Sequence, residues 1–510
     1  MKEVRTPGVY IVEKNAFPNS VVEVATAVPA FIGYTQKAKN RDTSLHKKPR
    51  RITSMAEYHN YFGLGPPMSF AIGNEKTDDS LQNAAVTQDG VEYYLTSSKQ
   101  RFNLYNCMLS FFQNGGGPCF IVSVGGYENT TPEAEQFIEG IDALVKEQEP
   151  AMVVVPDAVL LDEDNCARVQ IASLAHCRTL QSRFAILDVH NGFKNRTDDP
   201  DCITAFRNKI GINDLNYGAA YYPWIETTVV QDSAISFRNI DEDSRATLQE
   251  IITTELNISE SPNGKARQIA DLIAKLDGSA WSEDEQKDLK TSEKLLHKSL
   301  YALSKNYVSV LKTIQCEVNL LPPSAAMAGV YTMVDNTRGV WKAPANVSLN
   351  GVIRPAVNVS GDEQEDLNVN VQGKSVNAIR SFIGQGTLVW GARTLDGNSL
   401  DWRYINVRRT LIMLEVSLKL AAKAYVFEAN DANTWTSMKN MANNFLTGIW
   451  KRGGLAGASP DDAFSVRVGL GETMTAEDIL EGTLTMSIMV ALTRPAEFIE
   501  ITFQQQMQAT

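Results

Sequence analysis

The chain has 510 residues, 43% of them hydrophobic and 21% charged, and its 48 basic and 60 acidic residues give a net charge of −12. This composition is typical of a soluble globular protein, and the length predicts two to four domains. The negative charge disfavours binding to nucleic acid or to an anionic membrane, and no apolar run is long enough to predict a membrane span. Because the opening sequence MKEVRTPGVY lacks the apolar core of a signal peptide, we expect synthesis and assembly in the cytoplasm.

The N-terminal segment has the pattern of a short strand followed by a hinge. Thr6-Pro7-Gly8 is a turn signal, and it precedes four β-prone residues, Val9, Tyr10, Ile11 and Val12. Pro18 then prevents the segment Ala16–Ser20 from continuing a regular strand. A strand isolated ahead of a folded body has unpaired backbone groups on both edges, so it needs a partner from elsewhere.

Two strand-like segments follow the hinge, and from about residue 50 to 230 strand-like and helix-like segments alternate. Strands are predicted at 21–24 and 30–34, and later in the apolar runs FIVSV, AMVVVP and FAILDV. Helices are predicted between these runs, in LYNCMLSFFQN, PEAEQFIEGIDALVKE and DNCARVQIASLAHCRTL. The alternation predicts an α/β layer with a mainly parallel sheet, and therefore an α/β fold class.

Residues 240–316 change character and become helical. Six apolar residues alternate spacings of four and three, namely Leu296, Leu300, Leu303, Tyr307, Val310 and Ile314. This stripe predicts one helix about 45 Å long, at about 1.5 Å per residue. Two interpretations remain open, packing of the stripe against the α/β body and a coiled coil with a neighbouring subunit.

The C-terminal third combines helices with strands. A helix is predicted to end near Ala424, and a second is predicted to stop at Gly453-Gly454, before a strand in DDAFSVRVGL. The final segment, residues 497–504, alternates strictly between polar and apolar residues, as a half-buried strand does. Both ends of the protein are therefore predicted to be strand-forming arms.

The sequence contains no convincing catalytic, cofactor or metal site. The glycine-rich Asn114–Pro118 follows a helix, which is the reverse of the order in a phosphate-binding loop, and Gly373-Lys374-Ser375 lacks the earlier glycine of a P-loop. His176, Asp188 and His190 have no nucleophile motif beside them. The acidic runs 241–243 and 362–366 lack calcium-loop spacing, and the six scattered cysteines, with no CxxC pair, predict buried free thiols. We expect no enzyme activity and no cofactor.

An ordered series of short motifs resembles the contractile tail sheath family, which includes the sheaths of phage tails and of phage-like injection systems. The motifs run almost from one end of the chain to the other, while 240–316 is the part least covered. They include Thr6–Ile11, Phe31–Thr35, Tyr222-Pro223-Trp224, Asp335–Ala345, Val389–Thr394, Tyr404–Arg409, Val426–Asp431 and Arg494–Phe498.

The resemblance implies a multi-domain sheath subunit that forms stacked hexameric rings around an inner tube and contracts from a metastable extended state. On this basis, 1–20 is an N-terminal exchange arm and hinge, and 21–345 is an outer α/β region with the helical segment 240–316. Residues 346–496 form a C-terminal sheath core, and 497–510 form a C-terminal exchange arm. The subunit would be part of a virion tail or of an injection particle.

The resemblance also implies partners and contact residues. Strands of neighbouring subunits would be extended by the arms, through Val9, Tyr10, Ile11, Val12, Phe498, Ile499, Ile501 and Phe503. An acidic surface of the inner tube would be contacted by Lys439, Lys451 and Arg452. Baseplate and terminal cap proteins would be further partners, with no role for nucleic acid or for direct membrane binding. The alternatives are a non-contractile structural or surface-layer protein and an α/β hydrolase-like enzyme.

Overall fold

The computed structural model describes residues 21–77, 81, 83–128, 131–259, 261–278 and 280–500. These residues form two compact units. The terminal unit comprises 21–25, Arg338–Lys342 and 406–500, and the sheet unit comprises the described parts of Thr26–Thr337 together with Ala343–Ile405. Within the described ranges, no helix is both long and apolar enough to cross a membrane.

Strands and helices alternate through much of the described chain. The strands are β1 Pro29–Tyr34, β2 Lys39–Asn40, β3 Thr43–Ser44, β4 Arg50–Ile52, β5 Phe70–Gly73, β6 Val86–Gln88, β7 Val91–Ser97, β8 Cys119–Gly125, β9 Met152–Val154, β10 Phe184–Asp188, β11 Gly218–Tyr222, β12 Ile225–Thr227, β13 Leu320–Leu321, β14 Val347–Ser348, β15 Val352–Pro355, β16 Asn377–Phe382, β17 Gly386–Trp390, β18 Phe464–Val468 and β19 Met486–Val490. The helices are α1 Met55–Phe62, α2 Leu104–Gln113, α3 Ala134–Asp142, α4 Glu163–Leu180, α5 Cys202–Lys209, α6 Glu242–Glu255, α7 Lys265–Ala274, α8 Glu283–Lys287, α9 Leu289–Leu303, α10 Lys305–Asn319, α11 Ser324–Arg338, α12 Gly361–Asn368, α13 Ile405–Ala422, α14 Ala432–Lys451, α15 Pro460–Ala463 and α16 Ala476–Leu480.

A nine-stranded sheet is the centre of the sheet unit, with the order β14-β17-β16-β11-β10-β9-β1-β8-β4. The six strands from β16 to β8 in that order pair in parallel, and antiparallel strands complete both edges. Every residue of β1, β10 and β11 is buried, because helices on the two faces of such a sheet exclude water from both sides. The predicted α/β fold with a mainly parallel sheet is confirmed.

The predicted strand at 21–24 is wrong. These residues have no strand pairing in the structure. The backbone N–H of Val24 instead donates to Ser417 Oγ at 3.1 Å, and the Val21 and Val24 side chains pack against the hydrophobic core of the terminal unit. The β-prone residues therefore serve side-chain packing, and the first strand of the sheet starts at Pro29.

The predicted single long helix is two helices, α9 and α10, with a break at Ser304. The Ser304 side chain accepts the N–H of Tyr307 at 2.9 Å, and Glu255 from α6 accepts the N–H of Lys305 at 2.7 Å. Both are helix-capping interactions, and they satisfy donors that a new helix start leaves free.

The apolar stripe along these two helices packs within the subunit. Leu296, Leu300, Tyr307, Val310 and Ile314 belong to one buried cluster with residues of β5, β7 and α6. Leu303 departs from the prediction, because 39% of it is exposed beside the helix break. The structure therefore favours intramolecular packing over a coiled coil with a neighbour.

Candidate assembly surface

The terminal unit is built around the helices α13 and α14. Its core contains ten buried residues, Val340, Met413, Leu414, Leu418, Ala442, Leu446, Ile449, Leu455, Ala463 and Val466. Asp431 caps α14 by accepting the N–H groups of Asn433 and Thr434 at 2.9 and 3.0 Å. The helix ends at Lys451 and is followed by Gly453 with φ of 84°, as the Gly453-Gly454 signal predicted.

The chain enters the terminal unit through residues 21–25, which are fixed to it by polar and apolar contacts. Besides the bond from Val24 to Ser417, Glu23 Oε2 lies 2.6 Å from Arg452 Nη2. The same guanidinium group lies over the ring of Trp341, 5.1 Å from the centroid. The root of the N-terminal arm, defined as 21–25, is therefore docked, while Val9, Tyr10, Ile11 and Val12 lie outside the described residues.

The chain leaves the terminal unit beside the same helix end. Thr493 donates its hydroxyl to the carbonyl oxygen of Gly453 at 3.2 Å, and its own carbonyl accepts from Asn406 Nδ2 at 3.0 Å. The segment Leu492–Thr493 is thus the root of the C-terminal arm. Both roots contact the C-terminal end of α14 and the residues that follow it, Trp450–Gly454, which together we call the final turn of α14.

The predicted strand at 497–504 is not formed over the part that the structure describes. Residues 497–500 have no strand pairing, whereas Ile501 and Phe503 lie outside the described residues. Phe498 and Ile499 are 76% and 79% exposed. A strand requires backbone pairing, and no described strand of the same chain pairs with this segment.

A small two-stranded sheet lies in the same unit. β18 and β19 pair in an antiparallel register from Phe464↔Val490 to Val468↔Met486, and no third described strand joins them. Their inward side chains, such as Val466, pack on the core of the terminal unit. Each outer edge offers a row of backbone donors and acceptors to another strand.

The three predicted inner-tube residues occupy different environments on or near α14. Lys439 is half-buried and Lys451 is exposed. The helix rise separates these two lysines by about 18 Å, and its turn places them about 120° apart around the axis. Arg452 contacts Glu23 and Trp341 within its own unit. The three residues therefore do not form one compact patch.

An exposed aromatic residue was missed by the sequence analysis. Phe427 is fully exposed, and its φ of 70° is unusual for a residue other than glycine. The loop that carries it is held in place by Asn430, which accepts from Trp435 Nε1 at 2.7 Å and donates to the Thr483 carbonyl at 3.1 Å. Phe427 belongs to the family-like motif Val426–Asp431, but no role was predicted for its side chain.

The residues that could have suggested an enzyme have structural partners. The nearest partner of His176 Nε2 is the buried Arg183, at 2.6 Å, and burial together with Arg183 lowers the pKa of His176 to about 4. Lys374 of the P-loop-like segment is buried and donates to the carbonyl oxygen of Arg207. No group of His, Cys, Asp and Glu among the described residues is arranged to hold a metal ion.

Five of the six cysteines are buried free thiols, as predicted. Cys316 is the exception, because it is exposed on α10. Burial raises the pKa of the Cys177 thiol to about 12, so this thiol is unreactive at neutral pH.

Asp188 lies at the end of β10, where it holds the start of α11. It accepts the Ser324 N–H at 2.7 Å and the Ser324 hydroxyl at 2.5 Å. Burial raises the pKa of Asp188 to about 7, although these hydrogen bonds from Ser324 act in the opposite direction. The carboxyl group therefore titrates in the folded protein close to neutral pH.

We predict that Asp188→Asn changes how stability depends on pH. Between about pH 4 and 7 the folded chain retains a proton on Asp188 that the unfolded chain has lost. The wild type therefore loses stability as pH rises, by about 1.4 kcal/mol per pH unit from this residue. From pH 5 to 7 it should lose about 2–3 kcal/mol relative to Asp188→Asn, as measured by denaturant unfolding. If the free energies of unfolding of the two proteins change in parallel with pH, the prediction is contradicted. The contributions of all other titrating groups are the same in both proteins and cancel in the comparison.

Sequence comparisons relate parts of the chain to sheath proteins of phages. The family model of the phage tail sheath C-terminal domain matches residues 398–506. The tail sheath protein of Vibrio phage KVP40 is 27% identical over 187 residues, which are 36% of this chain and 26% of that protein. The tail sheath protein of Burkholderia phage BcepMu is 30% identical over 157 residues, 30% of this chain and 32% of that protein. The chain thus spans about a third or less of the length of these relatives.

Solved structures extend the similarity to the whole chain. The helical sheath of the anti-feeding prophage in its contracted state has a TM-score of 0.59 and 26% identity, and the match covers 99% of this chain and 100% of that chain. The sheath complex of the extracellular contractile injection system PVC, also contracted, has a TM-score of 0.59, 25% identity and 99% coverage of both chains. The match of the C-terminal sheath domain and the similarity in fold over the full length relate the chain to contractile tail sheath proteins.

Proposed function

We propose that the protein is the structural subunit of a contractile sheath that drives an inner tube through a target envelope. Its subunits form hexameric rings that stack helically, and each subunit is joined to its neighbours by its two arms. The observation that carries this proposal is the terminal unit, which holds the roots of both arms and a two-stranded sheet around one hydrophobic core. The terminal unit thus carries both the arms that would be donated as strands and the sheet edges of β18 and β19 that would receive them.

The residue types of the two arms are suited to strand addition. The arm residues Val9–Val12 are β-prone, and the exposed Phe498 and Ile499 lie where the second arm begins. Backbone hydrogen bonds to β18 or β19 would supply affinity, and alternate side chains would set the register. Residues 1–20 and 497–510 therefore act as exchange arms, and 346–496 contributes the sheath core.

Contraction in this proposal uses no nucleotide. The extended sheath is a trapped state, and the contracted sheath buries more surface between subunits. A gain of about 5 kcal/mol per subunit corresponds to about 200 Å² of additional buried apolar area. Summed over a long sheath this is a large free energy, so the subunit needs no enzyme activity and no cofactor.

The partners follow from this role. The subunit assembles with copies of itself, with an inner tube protein and with baseplate and terminal cap proteins, in the cytoplasm of the producing cell. Lys439 and Lys451 are the proposed contacts with an acidic tube surface, and Arg452 has a different proposed role, given below.

Negative-stain electron microscopy of the purified, concentrated chain tests the proposal. Hollow tubes with a cogwheel cross-section and a helical repeat are the expected result. Flat lattices would overturn it in favour of a surface-layer protein. A chain that stays monomeric at high concentration, also when mixed with its tube protein, would overturn it as well.

Charge reversal tests the tube contact. The double variant Lys439→Glu with Lys451→Glu should reduce co-assembly with the tube about tenfold, because two attractions become repulsions, while the sheath alone still polymerises. Pull-down of tube protein at several salt concentrations measures the effect. High salt should reduce the difference in co-assembly between the double variant and the wild type. Lys298→Glu, at an exposed lysine on α9, is the matched control. Unchanged co-assembly of the double variant would remove both lysines from the tube surface.

A further inference from the structure

The final turn of α14 contacts segments near both ends of the described part of the chain. Arg452 Nη2 lies 2.6 Å from Glu23 Oε2 in the root of the N-terminal arm. One residue later, the carbonyl oxygen of Gly453 accepts from Thr493 Oγ1 in the root of the C-terminal arm, at 3.2 Å. The two roots are more than 400 positions apart in sequence, and their meeting at one turn is a property of the tertiary fold.

The turn itself is tightly packed. A Cβ atom on Gly454 would lie 2.6 Å from Ile449 Cγ2 and 3.0 Å from Trp341 Cε3, so only glycine fits without displacing these side chains. Trp341 in turn supports the Arg452 guanidinium group, which lies over its ring. The position of Arg452 is therefore set by the half-buried Trp341 and Glu23, although its own side chain is half exposed.

We propose that the final turn of α14 is a clamp for the roots of both arms, and that Arg452 is a positioning residue for the N-terminal arm. This inference rests on the proposed function, because the terminal segments act as arms only when subunits assemble. Both the charge and the flat face of the guanidinium group are engaged within the subunit, by Glu23 and Trp341. A group so engaged is a poor contact for another protein, in contrast to the neighbouring exposed Lys451.

The clamp defines where the free hinge ends. With the root docked, the proposed hinge Ala16–Ser20 would connect the proposed N-terminal strand to the terminal unit. Release of 21–25 would add five residues, and each extended residue adds up to about 3.4 Å of reach. The arm would then explore a larger volume, and its effective concentration at the receiving strand would fall. The clamp therefore keeps the linker between subunits short. It also transmits a force on one arm to the root of the other.

Hydrogen exchange on the full-length chain tests the clamp without requiring assembly. Arg452→Ala and Glu23→Gln should each increase amide exchange in the segment 21–25 about fivefold, since an exposed ion pair and a cation–π contact are individually weak. The double variant should exchange no faster than Arg452→Ala alone, and Lys451→Ala should match the wild type. Unchanged exchange in both single variants, or additive effects in the double variant, would overturn the clamp.

Assembly provides the second measurement. The charge swap Glu23→Arg with Arg452→Glu should restore the sheath yield that Arg452→Glu alone reduces, as counted by electron microscopy. Loss of tube co-assembly in Arg452→Glu with unchanged exchange at 21–25 would make Arg452 a tube contact and overturn the proposal. A wild-type chain that forms no sheath would contradict the proposed function, while the exchange experiment would still decide whether the clamp exists.

Discussion

Deletion of residues 1–12, or of 498–510, is expected to abolish sheath formation while the subunit still folds. Among the described residues, the hydrophobic cores of both units are formed within 21–492, and neither deletion removes a side chain of these cores. Each donated strand would contribute several backbone hydrogen bonds at about 0.5–1.5 kcal/mol each, and its apolar side chains add to this. Loss of a few kcal/mol at every junction reduces the association constant by orders of magnitude.

Sedimentation velocity and electron microscopy measure this result, and circular dichroism verifies that the truncated chains are folded. Ile11→Pro is a sharper variant, because it removes one backbone donor and should block strand addition, whereas Ile11→Val should assemble normally. Deletion of the polar tail 505–510 alone is the matched control for the C-terminal truncation. Normal tubular sheaths from the 1–12 or the 498–510 truncation would contradict strand exchange by that arm.

The central sheet could be predicted from the sequence because its signals are local. The run PAFIGY of β1 is apolar throughout, and all six residues are buried, as expected for a strand covered on both faces. The break between α9 and α10 was harder to predict. Ser304 is a good helix cap, but the apolar residues Leu303 and Tyr307 on either side of it keep the helical spacing of the stripe. The second cap comes from Glu255, 50 positions before Lys305. Local periodicity contains no information about such a distant partner.

The candidate site shows the same division between local and long-range information. The two arms were predicted from β-prone runs beyond a hinge or at the chain end. The docking of residues 21–25 could not be predicted, because Glu23 meets Arg452 across 429 positions and Val24 meets Ser417 across 393. Arg452 was assigned to the contact with the inner tube from the family resemblance and its charge. The structure gives that charge a partner within the subunit.

Insertion of Gly-Ser-Gly within Ala16–Ser20 is expected to give sheaths that assemble but contract poorly. Lengthening a five-residue linker to eight residues raises the entropy cost of closure by only about 0.4 kcal/mol, so strand exchange should survive. The inserted residues add about 10 Å of slack between the donated strand and the root at 21–25. A slack connection cannot pass the movement of one subunit to the next until the linker is taut.

The fraction of contracted sheaths after a chemical or thermal trigger, counted by electron microscopy, measures the effect. The same tripeptide inserted at Gly264, in an exposed loop of the sheet unit, is the control and should leave contraction unchanged. If the hinge insertion contracts as fully as the wild type, linker length does not couple neighbouring subunits, and contraction must be transmitted by direct contacts between their folded units. If the insertion prevents assembly altogether, the linker sets the register of strand exchange, because the small entropy cost cannot account for that loss.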